Sequence, residues 1–454
     1  MKQKSMLPMK RARFDALVGY SRLPHAFAMS QEVDWYGSRD ETLLGAIVFD
    51  FTDQDFVVIV LGRDADQRYR CINTLIDLKS VNAARKALFQ CARTILATGD
   101  SSFPQGDERG KKLDLFAAVH PEEKLSPNFQ RVRDMPGYSS AKQIIQEMMH
   151  HYADIDGNYV EQFQTTGFDA RLWELYLFAY LTEERLLIDR THEAPDYLVS
   201  NGEQVAAIEA VVVQPTQGGA ASKIDVDTLT PEKIRELQKH YMPIKFGSTL
   251  YSKLKKRYWE KEHVKGKPLV FAIADFHLEQ SMLWSSTALS NYLYGSYHEF
   301  HYDDAGQLII NPIKIDFHEH NGKKIPSGFF FTPDAENVSA ILFSASGTIS
   351  KFLRMGRVAG FGDPNVTMIY SGTKHRLDPN ASLPDSFSYL IDDKYEEAWG
   401  HGVSLFHNPK ARIPLQPEVF PNATHHYMRD DGQIISDMAI FHPYNGITIT
   451  VLPK

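Results

Sequence analysis

The chain has little cysteine and no long apolar run. Only Cys71 and Cys91 occur among 454 residues, so we expect neither a disulfide framework nor a zinc site built from thiolates, and we predict a reducing, cytoplasmic setting. No stretch approaches the roughly 18 consecutive apolar residues that a membrane-spanning helix needs. The first residues, MKQKSMLPMKRARF, are basic but lack the apolar segment of a secretory signal. We therefore expect no membrane partner.

The chain also lacks a strong excess of charge of either sign, with 49 Lys or Arg against 57 Asp or Glu. The formal net charge is −8, which argues against general coating of nucleic acid. Residues 251–267 are an exception, because they carry seven Lys or Arg against two Glu. A solvated helix face is the commoner reason for such a run. The alternative is a local basic surface for nucleic acid.

The pattern of apolar residues divides the chain into three parts. A chain of 454 residues is expected to form two or three domains. Residues 1–130 predict a β-meander followed by an amphipathic helix over 81–99, hence an N-terminal α+β unit. Residues 131–300 alternate helices and strands, and residues 301–454 predict a mostly β region with long loops. The fold class is therefore α/β in the centre and α+β overall.

The central part predicts a helix, three strands, a loop, helices and a buried strand. The helix begins at Asp169, and the Asn201-Gly202 pair predicts a tight hairpin between the second and third strands. A loop containing Gly218 and Gly219 follows the third strand. The predicted strands cover 185–190, 196–201, 204–214 and 267–276, and the later helical segments cover 231–241, 248–262 and 277–295.

Three carboxylates interrupt apolar stretches in this central part. Glu174 lies in an apolar helix, Asp196 follows a Pro at the start of a strand, and Glu209 lies in a strand of Ala, Ile and Val. Burying an ionised carboxylate costs several kcal/mol unless a cation or a donor compensates it. A divalent metal, Mg²⁺ or Mn²⁺, suits such a set of oxygen ligands.

A purely structural alternative stays open for the same carboxylates. Glu174 has Arg171 and Arg185 as possible ion-pair partners in the chain. Under this alternative Asp196 caps a turn and Glu209 pairs with a Lys or Arg of the core, because buried carboxylates are sometimes merely paired.

The order helix–strand–strand–strand–helix–strand, with these residues, resembles the core of the PD-(D/E)XK nuclease superfamily over roughly residues 135–295. In that family a helix carries Glu, the second strand opens with Pro-Asp, and the third strand carries an acidic residue, any residue and Lys. Here Glu174, Pro195-Asp196 and Glu209 stand at those positions. The lysine position holds Val211 instead.

The resemblance implies a restriction-endonuclease-like αβββαβ core, and it also implies where a substitute lysine can lie. In the family the lysine sometimes moves to the helix after the third strand. Lys256 and Lys253 are the candidates there, three residues apart and hence on one helix face. Tyr258, on the same segment, is a candidate for contact with a phosphate. Asp189, on the first strand, is a candidate for an additional acidic group in the site.

The resemblance implies a metal-dependent nuclease that hydrolyses DNA phosphodiester bonds in restriction, repair or phage defence. Asp196, Glu209 and Glu174 would hold Mg²⁺ (or Mn²⁺), and nucleic acid would be the main partner, with a homo-oligomer or a protein partner possible. Because Val211 replaces the lysine, the alternative is a degenerate nuclease fold that binds nucleic acid or protein without catalysis. An unrelated α+β protein is the third hypothesis.

Two other patterns are weaker candidates. His318 and His320, with His425-His426 elsewhere, form a possible metal pair, since alternate strand residues share a face. Surface or core histidines explain that spacing more often. The segment SASGTISKFLRMGR lacks the spacing of a phosphate-binding loop, but its cations are candidates for contact with a nucleic-acid backbone: Lys351, Arg354 and Arg357. A Gly-x-Ser-x-Gly elbow is absent, so an α/β-hydrolase is not expected.

Overall fold

The computed structural model describes residues 6–108, 114–155, 157–215 and 229–453. The chain divides into two compact units: unit one contains Met1–Asp154 and Phe352–Pro364, and unit two contains Ile155–Lys351 and Asn365–Lys454. This division differs from the three predicted segments. The predicted loop around Gly218 and Gly219 lies outside the described residues.

Unit one contains an antiparallel sheet covered by a helix. In its described part the strands are β1 (Met6–Pro8), β2 (Ser30–Ser38), β3 (Leu43–Asp50), β4 (Asp55–Arg63) and β5 (Tyr69–Leu78). The helices there are α1 (Arg11–Val18), α2 (Ala26–Met29), α3 (Val81–Thr98), α4 (Pro127–Asp134) and α5 (Ser139–Met149), with 3₁₀ turns at Gly19–Ser21, Glu122–Lys124 and Pro136–Tyr138. The strands follow one another in sheet order, each antiparallel to the next.

The predicted meander and helix of this unit agree with β3, β4, β5 and α3. Ser80 caps α3 by accepting a hydrogen bond from the Ala83 amide, and Gly99 takes the left-handed conformation (φ 85°) at its end. One apolar face of α3 packs on the sheet. Its residues recur every four positions: Ala84, Leu88, Ala92 and Leu96.

The described part of unit two contains more strands than that of unit one. In chain order, the strands described are β6 (Leu187–Asp189), β7 (Tyr197–Ser200), β8 (Val205–Val213), β9 (Leu269–Asp275), β10 (Ser296–Tyr302), β11 (Leu308–Lys314), β12 (Phe317–His320), β13 (Lys323–Pro326), β14 (Ala340–Ser344), β15 (Thr367–Lys374), β16 (Asp385–Leu390), β17 (Val403–His407), β18 (Thr424–Met428), β19 (Ile434–Asp437) and β20 (Pro443–Val451). The helices described are α6 (Tyr159–Gln164), α7 (Phe168–Glu183), α8 (Pro231–Glu236), a π-helical turn (Leu237–Tyr241), α9 (Met242–Leu254), α10 (Ser286–Tyr294) and α11 (Ile349–Val358), which continues into unit one. The 3₁₀ turns are Tyr258–Glu260, Ser281–Leu283, Phe329–Phe331, Ala335–Asn337 and Pro417–Val419.

An eight-stranded mixed sheet organises unit two, in the order β19-β18-β17-β14-β9-β8-β7-β6. β6, β7 and β8 form an antiparallel meander, whereas β9 is parallel to β8 and β14 is parallel to β9. Four strands that follow residue 301 therefore extend the sheet of the central segment. The predicted C-terminal region is rich in strands, but much of it completes this sheet.

Helices cover this sheet at its centre. Every residue of β9 and β14 is buried, as expected for apolar strands that are covered on both faces. From α7, the Trp173 indole N–H donates to the Ala272 carbonyl at 2.8 Å. Phe271 and Ile273, the neighbours of Ala272, belong to an apolar cluster that also contains residues of α9 and α10.

Several predicted helix bounds are wrong. The segment predicted as a helix over 248–262 is helical only to Leu254, and Arg257 adopts the left-handed conformation (φ 49°) just beyond it. Within 277–295 the regular helix is α10, which begins at Ser286. In the described part of the chain, no helix is both long and apolar enough to cross a membrane. Cys71 and Cys91 are free thiols.

Candidate functional site

The hairpin of β7 and β8 places Asp196 beside Glu209. The last paired residues of its ladder are Tyr197 and Ile208, so Asp196 and Glu209 follow where the two strands separate. Asp196 Oδ2 accepts a hydrogen bond from the Ala210 amide at 2.7 Å. This bond holds the Asp196 side chain against β8.

The turn of the hairpin sets this register. The Asn201 side-chain oxygen accepts hydrogen bonds from the amides of Glu203 and Gln204 at 3.1 and 2.9 Å. Gly202 adopts φ 99°, a conformation that glycine takes without a steric penalty. The local sequence therefore brings the two carboxylates together.

Glu209 is buried, and two donors share one of its oxygens. Oε1 accepts from Lys253 Nζ at 2.5 Å and from Tyr258 Oη at 2.6 Å. Lys253 lies in the last turn of α9, and Tyr258 begins the 3₁₀ turn that follows. Burial and the neighbouring Glu209 raise the pKa of Tyr258, so its hydroxyl stays protonated and donates.

Glu174 approaches from α7 and is paired within its own helix. Its two carboxylate oxygens lie 3.0 and 2.8 Å from Arg171 Nη1. The Arg171 guanidinium also donates to Gln162 and Asn158, at 2.9 Å each. The Tyr197 hydroxyl donates to the Glu174 carbonyl at 2.7 Å, which joins α7 to β7 next to Asp196.

The three carboxylates interact electrostatically. Burial, and then the charges of Glu209 and Glu174, raise the pKa of Asp196 to about 8, against the lowering effects of the Ala210 amide and Lys253. This shift favours the protonated form of Asp196 at neutral pH. A cation that binds among these groups would favour release of that proton.

Of the two candidate lysines, Lys253 is the one that contacts a carboxylate of the site, that of Glu209. Lys256 is exposed in the turn after α9, where its backbone amide donates to the Lys253 carbonyl. Val211 is 1% exposed and packs in the apolar cluster of α9 and α10. Asp189 is exposed, and its Oδ1 accepts from the amide and hydroxyl of Thr191.

The structural alternative is partly realised. Glu174 pairs with Arg171, as that alternative expected, and Glu209 pairs with a lysine. Across the described ranges, no group of three or more His, Cys, Asp or Glu is arranged to hold a metal ion. Asp196 and Glu209 alone are a donor set that suits Mg²⁺, which commonly uses one or two carboxylates with water and substrate phosphates.

One residue near the site carried no signal in the sequence. The His263 ring N–H donates to the Ala194 carbonyl at 2.9 Å, and the ring stacks on His192 with centroids 3.8 Å apart. His263 thereby supports the chain just before Asp196. It lies 69 residues from Ala194, so no local pattern reveals the contact.

In the segment SASGTISKFLRMGR, two of the three cations that the sequence suggested for a nucleic-acid backbone are buried. Lys351 is fully buried and pairs with Glu397 at 2.7 Å, and Arg354 is 2% exposed. The prediction that these two contact a nucleic-acid backbone is therefore wrong. Arg357 donates to the carbonyls of Asp363 and Pro364.

Two of the histidine candidates, His318 and His425, are held by hydrogen bonds at both ring nitrogens. The two ring nitrogens of His318 lie 2.8 Å from the Lys239 carbonyl and 2.8 Å from Ser327 Oγ. Those of His425 lie 2.8 Å from His407 Nε2 and 3.0 Å from the Phe420 carbonyl. With both nitrogens engaged, neither ring is available as a ligand in this arrangement.

Comparisons of the chain with protein-family models, with curated proteins and with solved structures return no match.

Proposed function

We propose that unit two is a metal-dependent nuclease of the PD-(D/E)XK type, which hydrolyses DNA phosphodiester bonds. One observation carries the proposal. Asp196 and Glu209 lie side by side where β7 and β8 separate, and a lysine from the following helix reaches Glu209. In this proposal Lys253 takes the role of the lysine that the strand lacks, since Val211 stands at that position.

The arrangement of the strands supports the proposal. α7 precedes the antiparallel meander of β6, β7 and β8, and α9 then leads to β9, which is parallel to β8. This is the element order on which the resemblance depends. The resemblance further suggests restriction, repair or phage defence as the setting.

Each residue of the site has a distinct role in the proposed reaction. Asp196 and Glu209 would hold Mg²⁺ or Mn²⁺, and the bound metal would polarise the phosphodiester and activate water. Lys253 would stabilise the charge that develops on the phosphate. Tyr258 orients Glu209 through its hydrogen bond. Glu174 pairs with Arg171, so its proposed role is to add negative electrostatic potential to the site and not to bind the metal directly.

Exposed cations next to the site support a polyanionic substrate. The turn after α9 and the residues beyond it carry five exposed basic side chains: Lys255, Lys256, Arg257, Lys261 and Lys265. Arg257 also pairs with Glu260 at 2.7 Å. Such side chains bind phosphates without regard to base sequence. These cations support a nucleic acid as the substrate, although the net charge of the chain is negative, and the resemblance favours DNA.

Cleavage of supercoiled plasmid, linear duplex and single-stranded DNA with Mg²⁺, Mn²⁺ or EDTA tests the proposal. The wild type should cut in the presence of metal, whereas Asp196→Asn and Glu209→Gln should each lose activity by at least about a hundredfold. Circular dichroism should show that both variants fold. Metal-dependent cutting that survives in both variants would disprove the assignment.

A binding module without catalysis is the second candidate. It is favoured by the existing ion pairs of Glu174 and Glu209, which leave the buried carboxylates compensated without a metal. Under this candidate the protein binds DNA or a protein partner through the same unit. Calorimetry that detects no Mg²⁺ or Mn²⁺ binding, together with DNA binding that Asp196→Asn leaves unchanged, would favour it over the nuclease.

A further inference from the structure

The two donors on Glu209 differ in how easily they can leave. The Lys253 side chain is 25% exposed, whereas that of Glu209 is 7% exposed. Tyr258 is 1% exposed and belongs to the apolar cluster of α9. Lys253 can therefore withdraw into solvent by rotating its flexible stem, whereas Tyr258 is held by packing.

The two donors also differ in charge. The Lys253 ammonium and Tyr258 Oη approach the same oxygen, Glu209 Oε1. A divalent cation at this carboxylate would repel the ammonium strongly, because the separation is short and the surroundings are partly buried. The phenol of Tyr258 is neutral, so its hydrogen bond is compatible with a cation at Glu209.

We propose that Lys253 is the counter-ion of Glu209 in the free protein, and that a divalent metal displaces Lys253 when it binds. Lys253 competes with the metal in the free protein, and the displaced ammonium becomes available to the substrate phosphate. Metal binding would thus release the basic group that the reaction needs. This inference rests on the proposed function, because it requires metal binding at Asp196 and Glu209.

A simple supporting role for Lys253 predicts the opposite effect on metal affinity. Groups that hydrogen-bond to a metal ligand usually strengthen binding, and their removal costs about 10–100-fold in affinity. If Lys253 competes with the metal, its removal instead strengthens binding. We expect Lys253→Met to bind Mn²⁺ about tenfold more tightly than the wild type and to lose DNA cleavage.

The test is calorimetric titration of the full-length protein with Mn²⁺ alone, in the absence of DNA. Lys253→Met keeps the length of the apolar stem, and Lys253→Gln keeps a donor for Glu209 without the charge. Lys410→Met is the control for loss of one positive charge at an exposed position. Tyr258→Phe should not strengthen binding, because it removes a neutral donor. Far-UV circular dichroism checks that each variant folds.

The outcomes separate this inference from the proposed function. Tighter Mn²⁺ binding by both Lys253 variants, but not by Lys410→Met, supports competition. A second outcome is that Asp196→Asn abolishes Mn²⁺ binding, whereas both Lys253 variants bind Mn²⁺ as tightly as the wild type or more weakly. This outcome would overturn the inference and leave the proposed metal site intact. Failure of the wild type and of both Lys253 variants to bind Mn²⁺ would overturn the inference and the proposed function together.

Discussion

Lys253 Nζ lies 2.5 Å from Glu209 Oε1, although the two residues are 44 positions apart in the chain. The contact exists because the last turn of α9 returns to the strand that carries Glu209. In the resembled family the cation normally comes from that strand, two residues after the acidic one. Val211, which the resemblance places at that position, packs in the apolar cluster, and the lysine beside Glu209 comes from the helix.

The stability of the protein should fall as pH rises from the pKa of Asp196 in the unfolded chain to its raised pKa in the folded protein. Burial and neighbouring carboxylates raise the pKa of Asp196 to about 8 in the folded state, against about 3.9 for an unperturbed Asp. The protonated Asp196 therefore contributes stability that is fully present below its pKa in the unfolded chain, and this contribution is lost as pH rises through its pKa in the folded protein. Between about pH 5 and 8 this group lowers the free energy of unfolding by up to about 1.4 kcal/mol per pH unit.

Thermal melting in EDTA across this pH range measures the effect. Asp196→Asn should show a flatter pH dependence than the wild type, because it has no proton to lose. Asp189→Asn is the matched control, since this exposed carboxyl has a pKa lowered by hydrogen bonds from Thr191 and is ionised throughout the range. Parallel curves for the wild type and Asp196→Asn would contradict the prediction.

Tyr258 and Glu209 should be energetically coupled. Tyr258→Phe removes the 2.6 Å hydrogen bond to Glu209 and should cost about 1 kcal/mol of unfolding free energy. In a Glu209→Ala background the same change should be neutral or stabilising, because the buried hydroxyl has already lost its acceptor. Urea unfolding of the two single variants and the double variant gives the coupling energy. Equal effects of Tyr258→Phe in both backgrounds would show that the pair is not coupled.

Lys351 should matter for stability and not for DNA binding. It is fully buried and pairs with Glu397 at 2.7 Å, so Lys351→Met should cost about 3–5 kcal/mol by leaving a buried charge without its partner. Adding Glu397→Leu should recover part of the loss. Urea unfolding measures both effects, and Lys410→Met, at an exposed position, is the control. Weaker DNA binding by a folded Lys351→Met protein, without lost stability, would contradict the prediction.

The buried histidines of unit two should make the protein sensitive to acid. Burial lowers the pKa of His442 to about 4, and its ring nitrogens lie 2.9 Å from Thr424 Oγ1 and 3.4 Å from Ser404 Oγ. The neutral ring therefore contributes stability that is fully present above about pH 6.5, the ordinary pKa, and is lost as pH falls through about 4.

Melting between about pH 4 and 7 measures this contribution. His442→Gln should lose stability at neutral pH and lose less than the wild type on acidification, so the two curves should converge at low pH. His426, whose pKa is also lowered by burial to about 3, keeps some acid sensitivity in the variant. A constant difference between the two proteins would show that folding does not lower the pKa of His442.

Local patterns predicted the elements whose contacts are close in sequence. In unit one, apolar runs joined by short turns predicted β3, β4 and β5, and an amphipathic pattern ending at Gly99 predicted α3. In unit two the Asn201-Gly202 turn predicted the hairpin that carries Asp196 and Glu209. These elements depend on residues a few positions apart, so a single sequence contains the necessary information.

The same reasoning did not predict the pairing of strands that are far apart in the sequence. β14 pairs in parallel with β9, from which it is separated by more than sixty residues, and β17, β18 and β19 extend the sheet further. The boundary predicted at residues 300 and 301 therefore divides strands of one sheet. Parallel pairing uses backbone groups that every strand offers, so the sequence contains little that selects the partner.

For the candidate site, the sequence alone identified the three acidic residues and determined that two of them, Asp196 and Glu209, lie next to each other. A tight turn sets the register of a hairpin, and the register places Asp196 beside Glu209. Only the tertiary structure decided the partners. It selected Lys253 over Lys256 because α9 ends at Leu254 and turns away at Arg257, and it buried Val211 and Lys351. Which side chain meets a given charge depends on the rotation and end of a packed helix, and these are set by the whole core.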